Sequence, residues 1–300
     1  MKGATKATTA ATIGILAVLA IGISTPADAL QIGSLELITE AVDGGASDGE
    51  SIGSALSSDG QYVAFSSSAT NLVAGDTNDE SDVFVRDTVT GITTRVSVAT
   101  DSTEADDTSS AAAISSDGRY VTFYSEATNL VAGDTNGEPD VFVRDTFAAT
   151  TTRVSIASDG SQADGTFPSS FYPAISGDGR YITFASYASN LVAGDTNGCS
   201  DVFVRDTVAG TTTRVSVTTA GTEASGGDST YSAISSDGVY ITFSSRATNL
   251  VVGDTNGYSD VFVRNTATDL TQRISKATGG AQADGHSDFP VLSSNGRYIV

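Results

Sequence analysis

Apolar residues fall in short runs of three to five along the chain, each bounded by Gly, Asp, Ser or Asn. Tyr62-Val63-Ala64-Phe65 recurs as Tyr120-Val121-Thr122-Phe123, Tyr181-Ile182-Thr183-Phe184 and Tyr240-Ile241-Thr242-Phe243. Asp-Val-Phe-Val-Arg follows each of these, starting at Asp82, Asp140, Asp201 and Asp260. Next comes Thr-Arg-Val-Ser around Arg95, Arg153 and Arg214, with Gln-Arg-Ile-Ser around Arg273. These runs are β-branched and aromatic, and they are too short and too often interrupted by Gly for helices, so they predict strands. In the second unit the first strand ends near Ile114-Ser115. The second covers Tyr120 to Phe123, the third Val141 to Arg144 and the fourth Thr152 to Ile156. Asp-Gly between the first and second strands predicts a tight hairpin, because it accommodates the positive φ such turns require.

The Asp-Gly landmark stands at Asp59, Asp117, Asp178 and Asp237 and becomes Asn295-Gly296 at the end, with spacings of 58, 61, 59 and 58 residues. Internal repetition at this period, four antiparallel strands to a unit, predicts an all-β chain arranged as a β-propeller, with a stacked solenoid as the structural rival. The expected blades lie near 40–98, 99–156, 157–217 and 218–276, with a partial blade over 277–300. Leu35 to Thr39 sits where a fourth strand would, with no first three ahead of it. It is expected to close the last blade, as propellers lock their rings. The chain stops inside an expected strand, and we read this as a longer protein cut short, a thin five-bladed ring being the alternative.

Residues 1–29 stand outside the repeat. Lys2 and Lys6 precede an apolar run from Ala10 to Ile23, and Ala27-Asp28-Ala29 offers a small-x-small cleavage site. This is the pattern of a secretory signal peptide, and the run is too short to span a bilayer. The expected location is therefore extracytoplasmic, secreted or periplasmic, with no membrane span. Cys199 is the only cysteine, so no internal disulfide can staple the fold. The 36 acidic residues outnumber 15 basic ones, for a net charge of -21. Such a surface repels phosphate backbones, which argues against nucleic-acid binding, and attracts cations or basic partners.

Ser-Asp-Gly-Arg-Tyr-Val-Thr-Phe, a loop, and then Asp-Val-Phe-Val-Arg-Asp resembles the WD-like repeat of TolB-type β-propellers. The resemblance runs from Leu35 to Val300. It implies an extracytoplasmic protein-binding scaffold, and similar blades also occur as gating domains of peptidases. The loop between the second and third strands is longer here than in the TolB pattern, and the additional N-terminal domain of TolB is missing. A role in the Tol system is therefore not carried over.

That loop, residues 68–81 in the first unit, is long enough to expect a function. Its polar kernel is Asp76, Asn78 and Asp82, repeated as Asp134, Asn136 and Asp140, as Asp195, Asn197 and Asp201, and as Asp254, Asn256 and Asp260. Two readings stand. Alternating Asp and Asn can supply hard oxygen ligands to calcium, although three copies lack a ligand at the usual fifth position and all lack the bidentate Glu. Equally, Asp and Asn cap turns through their own side chains. The inter-blade segments are acidic too, at Asp48, Asp106, Asp107, Asp164 and Asp284, and in a propeller they share a face with the long loops. That face is the expected binding face, for a protein partner or a metal. Arg86, Arg144, Arg205 and Arg264, with Arg95 and its copies, are expected to form ion pairs between strands or blades. His286 is the only histidine, and Cys199 sits at a variable loop position, so no catalytic triad can be assembled and no cofactor is implied. The expected function is a non-enzymatic exported scaffold. A calcium-binding structural or adhesive protein and the regulatory propeller of a hydrolase are the alternatives.

Overall fold

The computed structural model describes Ala17, Val18, 36–165 and 168–300. The signal peptide expected over 1–29 lies outside these residues except for β1 (Ala17–Val18), which pairs antiparallel with β2 (Glu36–Leu37). The remaining strands form four antiparallel four-stranded sheets. The first holds β3 (Ser51–Leu56), β4 (Tyr62–Ser67), β5 (Asp82–Asp87) and β6 (Ile92–Arg95). The second holds β7 (Ser109–Ile114), β8 (Tyr120–Ser125), β9 (Asp140–Asp145) and β10 (Thr150–Arg153). The third holds β11 (Ser170–Ile175), β12 (Tyr181–Ser186), β13 (Asp201–Asp206) and β14 (Thr211–Arg214). The fourth holds β15 (Ser229–Ile234), β16 (Tyr240–Ser245), β17 (Asp260–Asn265) and β18 (Leu270–Arg273). Each sheet is a propeller blade with its strands in sequence order.

The second and third strands are buried on both faces because neighbouring blades sandwich them. Ala64, Val83, Val85 and Val96 of the first blade share one apolar layer with Val121, Phe123 and Phe142 of the second. Each blade stacks a phenylalanine from β4, β8, β12 or β16 on one from its third strand, with ring centroids 5.7–5.9 Å apart. All eight rings are fully buried, and each such burial stabilises by about 2–3 kcal/mol.

The Ser-Asp-Gly hairpins join the blades at one end of the axis. Ser57 O accepts from Gly60 N, Asp59 Oδ1 accepts from Gln61 N, and Ser57 Oγ accepts from Tyr62 N. Gly60 alone is left-handed in this turn (φ 72°), so the hairpin is a type I turn closed by a glycine bulge. Successive turns are then linked backbone to backbone. Ser58 N donates to Ser116 O, Ser116 N to Gly177 O, Gly177 N to Ser236 O and Ser236 N to Ser294 O, all at 2.8–3.0 Å.

The fourth strand is shorter than the sequence suggests. β10 ends at Arg153 because the Ser155 hydroxyl accepts from Val141 N at 3.0 Å, taking the place of a ladder partner. Beyond it, a small hairpin carries the chain to the next blade, marked by the bridges Val98↔Glu104, Ile156↔Gln162, Val217↔Glu223 and Lys276↔Gln282. Residues 38–46 repeat that hairpin ahead of the first blade, with the bridge Glu40↔Ala46 and Ile38 buried against Val63, Phe65 and Phe84. At the other end Val291 and Val300 exchange backbone hydrogen bonds, giving the first hairpin of a fifth blade. Among the described residues β2 pairs with β1, and no backbone hydrogen bond joins 35–39 to that hairpin.

Candidate binding face

The long loops have no regular secondary structure, yet they are fastened at three points. Leu72, Leu130, Leu191 and Leu250 are each 2% exposed and pin their loop to the core. The start of the loop holds the hairpin before it. Asn71 Nδ2 donates to Ala46 O at 3.0 Å, Asp48 N donates to Asn71 Oδ1 at 3.1 Å, and Thr70 N and Oγ1 both donate to the Asp48 carboxylate at 2.8 Å. Asn129, Asn190 and Asn249 repeat the first contact on Glu104, Gln162 and Glu223 carbonyls at 2.8 Å. The end of the loop holds the hairpin after it. Thr77 N and Oγ1 donate to the Glu104 carboxylate, and Thr196 does the same to Glu223. Gln162 and Gln282 serve Thr135 and Thr255. Loops and hairpins from successive blades therefore form one interlocked face.

Sequence reasoning missed these Glu/Gln partners. Their signal was present, since Glu104, Gln162, Glu223 and Gln282 recur at the repeat spacing, each before an alanine.

The structure brings each Asp-Asn-Asp kernel together around an arginine. Asp82 is wholly buried and accepts from Ser97 Oγ at 2.5 Å, Arg95 Nη1 at 3.0 Å and Asn78 Nδ2 at 3.5 Å. The same Nη1 lies 3.2 Å from Asp76 Oδ1, and Nη2 lies 2.8 Å from Glu104. Arg153 sits likewise between Asp134 and Asp140, at 3.0 and 2.9 Å. Arg214 lies between Asp195 and Asp201, and Arg273 between Asp254 and Asp260, at 3.1–3.2 Å. The asparagines bridge outward: Asn78, Asn136, Asn197 and Asn256 donate to the carbonyls of Ala105, Ala163, Ala224 and Ala283. A guanidinium thus stands beside each carboxylate pair. Among the described residues no group of three or more Asp, Glu, His or Cys side chains is placed to hold a metal ion.

Burial perturbs the kernel carboxyls. It raises Asp82, Asp140 and Asp201 above the usual carboxylate range despite their hydrogen bonds. Asp134 and Asp195 are pushed up to about 6, by burial first and then by the neighbouring charges of Asp140 and Asp201. Asp134 Oδ2 is buried without a hydrogen-bond donor, whereas Asp134 Oδ1 and Asp76 Oδ1 are buried against the Arg153 and Arg95 guanidiniums.

Asp48 and Asp106 are exposed but committed to Thr70 and Thr128, while Asp107, Asp164 and Asp284 also lie exposed on the hairpins. The second arginine series links blades. Arg86 pairs with Glu40 at 2.9 Å, and Arg144, Arg205 and Arg264 donate to the carbonyls of Ala99, Ala157 and Thr218 in the preceding hairpin. His286 accepts from Ser259 N at 3.1 Å through Nδ1. That is the part Asp228 plays for Ser200 N one blade earlier. Cys199 N donates to Asn197 Oδ1, and burial pushes the thiol up, away from thiolate chemistry.

No family model and no curated protein matches the sequence. Solved structures match the fold. TolB from Acinetobacter baumannii superposes with a TM-score of 0.52 at 17% identity, covering 91% of this chain and 52% of TolB. Oligogalacturonate lyase from Vibrio parahaemolyticus gives 0.51 at 12% identity, covering 89% of this chain and 65% of the lyase. The chain is an all-β protein with a TolB-like β-propeller fold of four-stranded antiparallel blades. It spans about half the length of the TolB it resembles.

Proposed function

We propose that this chain is an extracytoplasmic propeller scaffold, not an enzyme, that takes a basic protein partner on the face built by its long loops and inter-blade hairpins. The carrying observation is the mutual fastening of those segments. Asn71 with Ala46 and Asp48, and Thr77 with Glu104, turn separate loops into a continuous rigid surface. Rigid surfaces bind with less ordering cost than mobile loops. Exposed Asp107, Asp164 and Asp284 give that surface a negative rim, on a chain whose net charge is -21. The export pattern of residues 1–29 supports the location.

The test is binding of a hexalysine peptide to the full chain and to an Asp107→Asn, Asp164→Asn, Asp284→Asn variant, at low and physiological ionic strength. We expect salt-sensitive binding that the variant weakens by about tenfold. Equal binding by both proteins would refute the acidic face.

A second reading retains calcium, on the strength of Asp134 Oδ2, a buried carboxylate oxygen without a donor. An ion there would compete with Arg153 or Arg95 for the carboxylate pair. A native-state ligand at a hundred times its Kd stabilises by about 2.7 kcal/mol per site. Calcium-specific elevation of Tm, reversed by chelator and absent with magnesium, is the expected result on this reading. An unchanged Tm leaves the guanidinium as the resident cation and removes the metal.

A further inference from the structure

The innermost strand of every blade breaks register at one repeated place. The ladders slip between Ile52 and Ser54, Ser110 and Ala113, Phe171 and Ala174, and Thr230 and Ala233. The residue in the bulge is left-handed each time: Gly53 (φ 53°), Ala111 (φ 55°), Tyr172 (φ 54°) and Tyr231 (φ 51°); Phe289 (φ 57°), at the corresponding position of the fifth copy, shares the conformation outside any strand. Glycine adopts this conformation freely, whereas a bulky side chain there is strained. The first blade carries the residue the backbone favours, and three later copies carry aromatic rings.

Those rings form a row. Tyr172 and Tyr231 have centroids 4.5 Å apart, and Tyr231 and Phe289 4.1 Å apart. Phe171 meets Tyr172 edge-on at 4.9 Å, and Tyr187 lies 5.9 Å from Phe171. Burial does not account for the strain at the two ends of the row, because Tyr172 is 41% and Phe289 65% exposed, while Tyr231 between them is half-buried. At the corresponding point of the first blade, a Cβ on Gly53 would meet nothing within 4 Å. Strain kept without burial is the mark of a side chain placed for a ligand.

Carboxylates accompany the row. Glu126 accepts from Tyr124 Oη and Asp228 from Tyr187 Oη, each at 3.4 Å, and Asp288 directly precedes Phe289. Glu126, Tyr187 and Arg246 occupy the first residue of successive long loops, so the row opens on the proposed binding face, with Arg246 as the basic member of that rim. A row of tilted, partly exposed rings beside carboxylates suits a flat cation, which can lie on a ring and fork to a carboxylate.

We propose that the aromatic row is a recognition site for an arginine side chain on a basic protein segment. The inference rests on the acidic-face reading and adds to it a specific side chain and a place.

The test uses hexa-arginine, hexalysine and hexacitrulline peptides with the full chain, followed by calorimetry and thermal unfolding. The variants Tyr172→Gly, Tyr231→Gly and Tyr187→Ser each import the residue found in the first blade, Gly53 or Ser68. Hexa-arginine should bind several-fold more tightly than hexalysine, and hexacitrulline should not bind. Each variant should lower arginine affinity several-fold, towards that of lysine. The two glycine variants should keep or raise Tm, since they relieve a left-handed residue. Equal affinity for arginine and lysine, unaltered by these variants, would overturn the site while leaving the acidic face standing if the Asp107, Asp164 and Asp284 variant still loses both. A steep fall in Tm on Tyr231→Gly would also overturn it, by making the rings packing residues. Binding of neither cationic peptide would defeat both readings.

Discussion

At the scale of single residues, the chain holds carboxylates of opposite character. Asp145 and Asp206 are held down to about 2, by hydrogen bonds from Arg119 and Arg180 and from the turn amides. Their contribution to stability is present above the ordinary carboxylate range and is lost only as pH falls towards 2. Asp134 and Asp195, pushed up to about 6, act the other way. Below the unfolded value near 3.8 both states are protonated and these groups are neutral in effect. As pH rises from 3.8 to about 6 the folded state retains protons the unfolded chain has released, so stability is lost across that window and stays lost above it. Asp134→Asn should therefore raise stability at neutral pH by on the order of 1 kcal/mol, with the gain vanishing near pH 4. Urea midpoints at the two pH values measure this, and a gain of the same size at both would show that ionisation is not its source. Arg153 keeps Asp140 as a partner in that variant.

At the scale of strands and turns, the joints between blades depend on the absence of a side chain. The turn glycine of one blade lies against the tyrosine that opens the second strand of the blade before. A Cβ on Gly118 would come within 2.1 Å of the Tyr62 ring, and one on Gly179 within 2.1 Å of the Tyr120 ring. Gly179 is also left-handed (φ 75°), so both sterics and backbone exclude alanine. Gly160 has a similar φ of 89° but nothing within 4 Å of its would-be Cβ. Gly160→Ala should cost about 1 kcal/mol, the backbone penalty alone, and Gly179→Ala about 2–4 kcal/mol, with the clash added. Similar losses for the two would show that the tyrosine moves aside freely.

At the scale of the whole molecule, the blades are coupled at both ends of the axis by different means. One end uses the chain of backbone hydrogen bonds from Ser58 to Ser294 through Ser116, Gly177 and Ser236. The other uses side chains, with Asn and Thr of the long loops gripping hairpins before and behind. Between them, apolar layers are shared by neighbouring blades, so no blade owns a complete core. This is the coupling expected of a repeat protein, in which interfaces contribute as much as units. The excess of negative charge opposes that compaction through self-repulsion. The buried guanidiniums of Arg95, Arg153, Arg214 and Arg273, each beside two carboxylates, locally offset it. A partner that brings positive charge to the loop face would do the same from outside.

The strands, their order and the hairpins were written in the sequence, because a strand with both faces buried must be a short apolar run and its tight turn needs a left-handed glycine, here after Asp or Asn. Val83-Phe84-Val85 and Ser57-Ser58-Asp59-Gly60 say this locally, and repetition says it four times. The fate of the polar residues was not local. Asp76, Asn78 and Asp82 have the composition of a cation loop, but what stands beside them is decided by Arg95, which arrives from the fourth strand, and by Glu104 and Ala105 from the next hairpin. The aromatic row was hidden for the same reason. Tyr172, Tyr231 and Phe289 are about sixty positions apart in the chain, and only the left-handed backbone at this position of successive repeats, with the stacking of the blades, sets their rings side by side. Periodicity fixes what each residue does within its own blade, whereas contacts between blades depend on how blades are stacked, which only the tertiary structure decides.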